Sequence, residues 1–123
     1  MPQTTDLARE DKLALNQAVF REVNERIREL ADGGRWAAGT LDLVCECSDD
    51  GCTASISVTV DDYEAVRSFP ARFLIYPRHE VAQIEQLVGG GRGYEIVEKL
   101  GEAASLVADL DPRRHTSLEA GGQ

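Results

Sequence analysis

No stretch of the chain approaches the roughly 20 consecutive apolar residues that a membrane-spanning helix requires. The opening residues, MPQTTDLAREDK, also lack the apolar core of a signal peptide. Positive charge is in short supply: 13 Lys and Arg stand against 22 Asp and Glu, a formal net charge of -9. Proteins that grip nucleic acid do so through a basic stripe that displaces counterions, so nucleic-acid binding is disfavoured, and an anionic membrane surface is disfavoured for the same reason. Aromatic residues make up only 6% of the chain, with a single Trp, which points to an aliphatic core. Cysteine is rare as well, with three in 123 residues, yet all three fall between Cys45 and Cys52. A chain of this length carries one domain with one small core. It is expected in the cytoplasm, where clustered thiols in odd number serve as metal ligands or redox groups before they serve as a disulfide framework.

Glycine and proline are absent from Asp6 to Asp32, and the segment is rich in Ala, Leu, Glu and Arg, so it reads as one long helix. Leu13, Val19 with Phe20, Val23, Ile27 and Leu30 form an apolar stripe along it. The stripe suits packing on the domain's own sheet, or a pair of such helices joining two chains as a homodimer. Asp6 is placed to cap the start, and Gly33 with Gly34 to end it. Trp36 follows in a loop that reaches Thr40, and covers an edge of the core more readily than it stacks on a ligand.

Two alternating runs come next. Leu41, Leu43 and Cys45 face one way and Asp42, Val44 and Glu46 the other, while Ile56, Val58 and Val60 alternate with Ser55, Ser57 and Thr59. These predict an antiparallel hairpin closed by the cysteine-bearing turn. Thr59, three residues before Asp62, marks the start of a short helix over about Asp61 to Ser68, which Pro70 stops. Arg72 to Tyr76 predicts a third strand, and Val81 to Val88 with Tyr94 to Leu100 predicts a hairpin around the loop GGGRG. That loop lacks the order of residues in a phosphate-binding loop. Gly101 to Leu110 predicts a final helix ahead of Pro112, followed by a mobile tail over 113–123 that contains His115. The fold class is therefore α+β, a long N-terminal helix and short helices packed on a small antiparallel sheet, with one domain over 1–112.

The chemistry concentrates in Cys-x-Cys-x4-Cys. Cys45 and Cys47, two apart in a strand, project from the same face. Ser48, Asp49, Asp50 and Gly51 are turn formers able to bring Cys52 back toward them. His79 follows the third strand, at a point from which it can reach the cysteine turn if that strand pairs nearby.

Several segments carry a resemblance: FREVNERI at Phe20 to Ile27, VCECSDDGC at Val44 to Cys52, DYEAVR at Asp62 to Arg67, RFLIYPRHE at Arg72 to Glu80 and YEIVEKLGEAA at Tyr94 to Ala104. Over most of its length the chain resembles a small actinobacterial family of uncharacterised proteins. The resemblance implies that Cys45, Cys47, Cys52 and His79 are the motif positions. In that family the histidine follows Pro-Gly, where this chain has Pro77 and Arg78. The resemblance carries no activity with it.

Three thiolates and an imidazole compose a Cys3His set, for which zinc is the commonest occupant. The competing readings are that the cysteines are small buried hydrophobes, or that they form a reversible disulfide as a redox sensor. A closed set of four protein ligands leaves no position for a reactive water, so a metal-dependent enzyme would need one ligand absent, with Glu46 or Glu80 as candidate bases. Three clustered thiols also argue against a Cys-His hydrolase, which uses one. The expected role is a zinc-binding domain acting as a protein-binding or accessory regulatory module, its acidic surface suited to a basic protein partner.

Overall fold

The computed structural model describes residues 2–31, 39–49, 51–81 and 84–113. The architecture is α+β, in the order α1 (Pro2–Leu30), β1 (Thr40–Val44), β2 (Ser55–Thr59), α2 (Val60–Arg67), β3 (Arg72–Ile75), β4 (Glu85–Gly91), β5 (Tyr94–Lys99) and α3 (Gly101–Asp109). Helix α1 begins at Pro2 instead of at an Asp6 cap, since proline's fixed φ and missing N–H are tolerated in a first turn. The expected stop at Gly33 and Gly34, the placement of Trp36 and that of His115 lie outside the described residues. No described helix is long and apolar enough to cross a membrane.

The strands divide into two antiparallel sheets instead of one. β1 pairs with β2 from Thr40↔Thr59 to Val44↔Ser55, and the second sheet has the order β3-β5-β4. The two meet where the chain runs on past β1: the Glu46 amide donates to the Leu74 carbonyl at 2.8 Å, and the Leu74 amide donates to the Glu46 carboxylate at 2.9 Å. On the same edge of β1, turned away from β2, the Asn24 side chain takes the place of a neighbouring strand. It accepts from the Val44 amide at 2.9 Å and donates to the Val44 carbonyl at 2.8 Å.

Helix α2 starts as its sequence predicts, with Thr59 Oγ1 accepting from the Asp62 amide at 3.0 Å. The hairpin after residue 84 differs from the predicted strand–loop–strand. β4 starts only at Glu85 and takes in Gly89, Gly90 and Gly91, so the turn shrinks to Arg92 and Gly93, the latter at φ +85°. The Tyr94 ring lies so close to Gly91 that a Cβ there would sit 2.6 Å from it. The glycines are thus strand residues that admit a ring. Arg113, read from sequence as the start of a tail, bonds to both Glu25 and Glu64, two partners that no local pattern reveals.

Two apolar clusters fill the interior. One joins Cys45 and Cys47 to Phe73, Ile75, Val97 and Val107; the other gathers Leu41, Leu43, Ile56, Val58, Tyr63 and Leu74. Helix α1 lies against α3 and β1. The face it turns inward is only in part the expected apolar stripe: Ile27 packs on the second cluster and Leu13 and Phe20 are half-buried, but the buried residues are Ala14, Gln17, Arg21, Asn24 and Glu25, and Val19, Val23 and Leu30 are exposed. Hydrogen bonding explains the difference. Arg21 donates to the carbonyls of Pro70 at 2.7 Å and Val107 at 2.6 Å while its guanidinium lies 4.7 Å from the Phe73 ring centroid, so a polar side chain fastens helix, turn and α3 together.

Candidate metal centre

Strand β1 delivers the first two thiols. The Cys45 amide still donates to the Ala54 carbonyl at 3.0 Å, so the extended course of β1 persists through Cys45 and Glu46. Alternation then sends Cys45 and Cys47 to one side and Glu46 to the other. Glu46 is fully buried, one oxygen accepting from the Leu74 amide and the other from Asn24 Nδ2 at 2.7 Å. Burial raises its pKa, against the pull of those bonds. Both oxygens are committed to holding the segment, which removes Glu46 as a candidate base at the site. Glu80 is exposed.

The turn back to Cys52 is built by Asp49. Its carboxylate accepts from the Gly51 amide at 2.9 Å and its carbonyl from the Cys52 amide at 3.1 Å, an Asx-type reversal of the kind turn formers predict. From α1, Asn16 Nδ2 donates to the Ser48 carbonyl at 3.1 Å and steadies the same loop.

His79 arrives from β3. The Tyr76 amide donates to Cys45 Sγ at 3.1 Å, and the chain then turns at Pro77 and Arg78, with the His79 amide donating to the Tyr76 carbonyl at 3.1 Å. Arg78 has φ +72°, the one non-glycine positive φ among the described residues. Proline followed by a left-handed residue is a type II turn, whose third position favours glycine. The turn directs the imidazole into the cysteine loop, with the Tyr76 ring beside it at 5.4 Å between centroids.

The four side chains that the sequence singled out therefore come together. Among the described residues, the ligand atoms of Cys45, Cys47, Cys52 and His79 all lie within 4.8 Å of one another and can hold a metal ion. His79 Nδ1 is 3.5 Å from Cys45 Sγ and 3.6 Å from Cys52 Sγ. Cys45 and Cys47 are buried, and Cys52 and His79 are half-buried. Burial pushes the Cys45 thiol up to about 12, and burial also raises Cys47. Buried and without a cation, these sulfurs stay protonated; a bound ion supplies the positive charge that thiolates require.

Sequence reading missed the polar residues that hold the site in place. Asn24 and Glu46 fix the course of β1, and Arg21, Arg67 and Lys99 are buried charges. Lys99 pairs with Glu85 at 3.1 Å, and Arg67 bonds to Asp111 and to Glu25. Polar side chains within a helical pattern read as the solvent face, so no periodic signal marks them. No family model matches the chain, nor does any curated protein or solved structure.

Proposed function

We propose that this chain is a small zinc-binding domain in which Cys45, Cys47, Cys52 and His79 hold one structural zinc ion. The observation that carries the proposal is the spacing of the donors. Zinc bonds of about 2.3 Å to sulfur and about 2.0–2.1 Å to nitrogen, at tetrahedral angles, separate sulfur from nitrogen by about 3.6 Å. Two of the three sulfur–nitrogen distances, those from His79 Nδ1 to Cys45 and Cys52, are 3.5 and 3.6 Å, and all four donors lie within 4.8 Å of one another. An imidazole and three thiolates also match zinc in softness better than they match magnesium or calcium, which take oxygen.

A zinc ion so held joins the loop after β1 to the turn after β3, across the seam between the two sheets. Four protein ligands leave no coordination position for a water, and Glu46, one of the two candidate bases, is engaged elsewhere. This supports a scaffold over a catalyst. The work of the domain is then binding, as a protein-binding or accessory regulatory module of a reducing compartment, with its net charge of -9 suited to a basic partner.

Elemental analysis of protein purified without chelator, combined with thiol titration, tests the site. One zinc per chain with thiols that react only after the metal is removed is the expected result. A fully folded, metal-free protein whose thiols titrate freely contradicts it.

A further inference from the structure

Between α1 and the cysteine loop the fold leaves a hollow of about 400 Å³. One wall is helical: Arg9, Lys12, Leu13 and Asn16 follow the i, i+3, i+4, i+7 spacing that puts side chains on one face. Ser48 and Asp49 of the loop, with Val81, form the rest. Arg9 and Lys12 are exposed, Leu13, Asn16 and Val81 half-buried and Ser48 buried, so the hollow deepens from a cationic rim, past two apolar side chains, to the loop. Two observations bear on what it takes. The first is charge. Arg67, Arg72, Lys99 and Arg113 each meet a carboxylate, in a chain where acids outnumber bases 22 to 13. Arg9 and Lys12, one turn apart on the rim, meet none among the described residues. The second is Ser48. Its carbonyl accepts from Asn16 Nδ2 at 3.1 Å, but its hydroxyl, on a residue only 3% exposed, has no hydrogen-bond partner. A buried polar atom left so is costly unless a ligand satisfies it.

We propose that this hollow binds a small organic acid: a single carboxylate at one end, an apolar ring in the middle and a hydrogen-bonding group at the far end. The order follows the burial gradient. The carboxylate accepts from Arg9 and Lys12 at the rim. The ring lies on Leu13, Val81 and the aliphatic stems of the two cations. The far group pairs with the Ser48 hydroxyl. Asp49 sets the charge of the ligand. Its carboxylate accepts from the Gly51 amide at 2.9 Å and still adds negative charge to the wall, which places a monoanion ahead of a phosphate dianion. None of the four metal ligands lines the hollow, so the proposal stands apart from the zinc reading.

Titration of the whole chain, purified without chelator and followed by amide NMR, reads the site with three probes: naphthoate, its analogue hydroxylated on the far ring, and the neutral naphthamide. Zinc content measured on the same sample keeps the two results separate. Naphthoate should bind with a Kd of about 1 mM or below, the hydroxylated acid more tightly and the amide several-fold more weakly. Arg9→Glu and Lys12→Glu should each weaken naphthoate about threefold to fivefold, with the thermal midpoint unchanged, since neither side chain has a partner to lose. Arg92→Glu makes the same change of charge on the β4–β5 turn and should have no effect. Ser48→Ala should erase the preference for the hydroxylated acid. No binding up to about 10 mM, an amide that binds as well as the acid, equal losses in Arg92→Glu and Lys12→Glu, or a preference that survives Ser48→Ala overturns the proposal.

Discussion

The backbone amide of Tyr76 donates to the sulfur of Cys45 at 3.1 Å. That bond ties the end of β3 to the end of β1, three residues before His79 enters the cysteine loop. A single contact between the sheets thus sets both the first thiol and the approach of the imidazole. An amide donor aimed at sulfur also tempers the charge of a thiolate, as metal-bound cysteines require when several share one ion.

If the metal is part of the fold, loss of one ligand removes binding energy and folding energy together. Cys47→Ser should lower zinc content and also lower the thermal midpoint by about 10 °C, corresponding to about 3 kcal/mol in a chain of this size. Parallel metal assay and calorimetry on wild type and variant check this. Unchanged stability in the variant, with a reversible peroxide-induced disulfide in the wild type, would favour the redox-sensor reading instead.

Arg78 occupies a backbone conformation that glycine adopts without cost. A left-handed non-glycine residue costs about 1–2 kcal/mol, and glycine's greater freedom in the unfolded chain offsets about 0.5–1 kcal/mol of any gain. Arg78→Gly should therefore stabilise by about 0.5 kcal/mol, and Arg78→Val should destabilise by at least about 1 kcal/mol. Urea unfolding midpoints measure both. Equal midpoints for all three chains would mean that the turn is unstrained.

The pH dependence follows from the cluster around Arg113. Its hydrogen bond is the leading reason that Glu64 lies below the ordinary carboxylate value. At Glu25 burial pushes upward most strongly, but bonds from Arg113 and Tyr63 and the charge of Arg67 outweigh it and hold the group low. A carboxylate depressed in the folded state contributes stability that is complete above its unfolded value, about 4.3, and disappears as pH falls through the folded value. The stability that Glu25 and Glu64 supply, read in thermal midpoints, should thus be complete above about pH 5 and disappear below it, while Glu46, whose pKa burial raises, acts in the opposite sense. Arg113→Ala should flatten that acid limb; an unaltered limb would assign acid sensitivity to other carboxylates.

The α+β class, the capped start of α2 and the assembly of Cys45, Cys47, Cys52 and His79 were legible in the sequence, because each rests on local alternation, on turn chemistry or on ligand-type residues with few other uses. The inward face of α1 was not. Its burial depends on partners distant in sequence: Arg21 with Val107, Asn24 with Val44, Gln17 with Glu85 at 2.7 Å. A periodicity argument assigns such residues to solvent, and so turns the whole apolar stripe inward, where Val19, Val23 and Leu30 do not follow it. The seam between the two sheets was hidden for a similar reason, since it is closed by the Glu46 amide and carboxylate bonding to Leu74, a partner distant in sequence. The glycines of β4 reveal themselves as strand only once Tyr94 is seen to lie on Gly91.

The central claim is a closed site of three sulfurs and one nitrogen around one zinc ion, and X-ray absorption at the zinc edge of the purified protein tests it most directly. The account predicts a first shell of three sulfurs at about 2.3 Å and one nitrogen at about 2.0–2.1 Å, with the nitrogen component lost in His79→Ala. A shell with an oxygen in place of a protein ligand, or one unaltered by His79→Ala, would contradict the closed site.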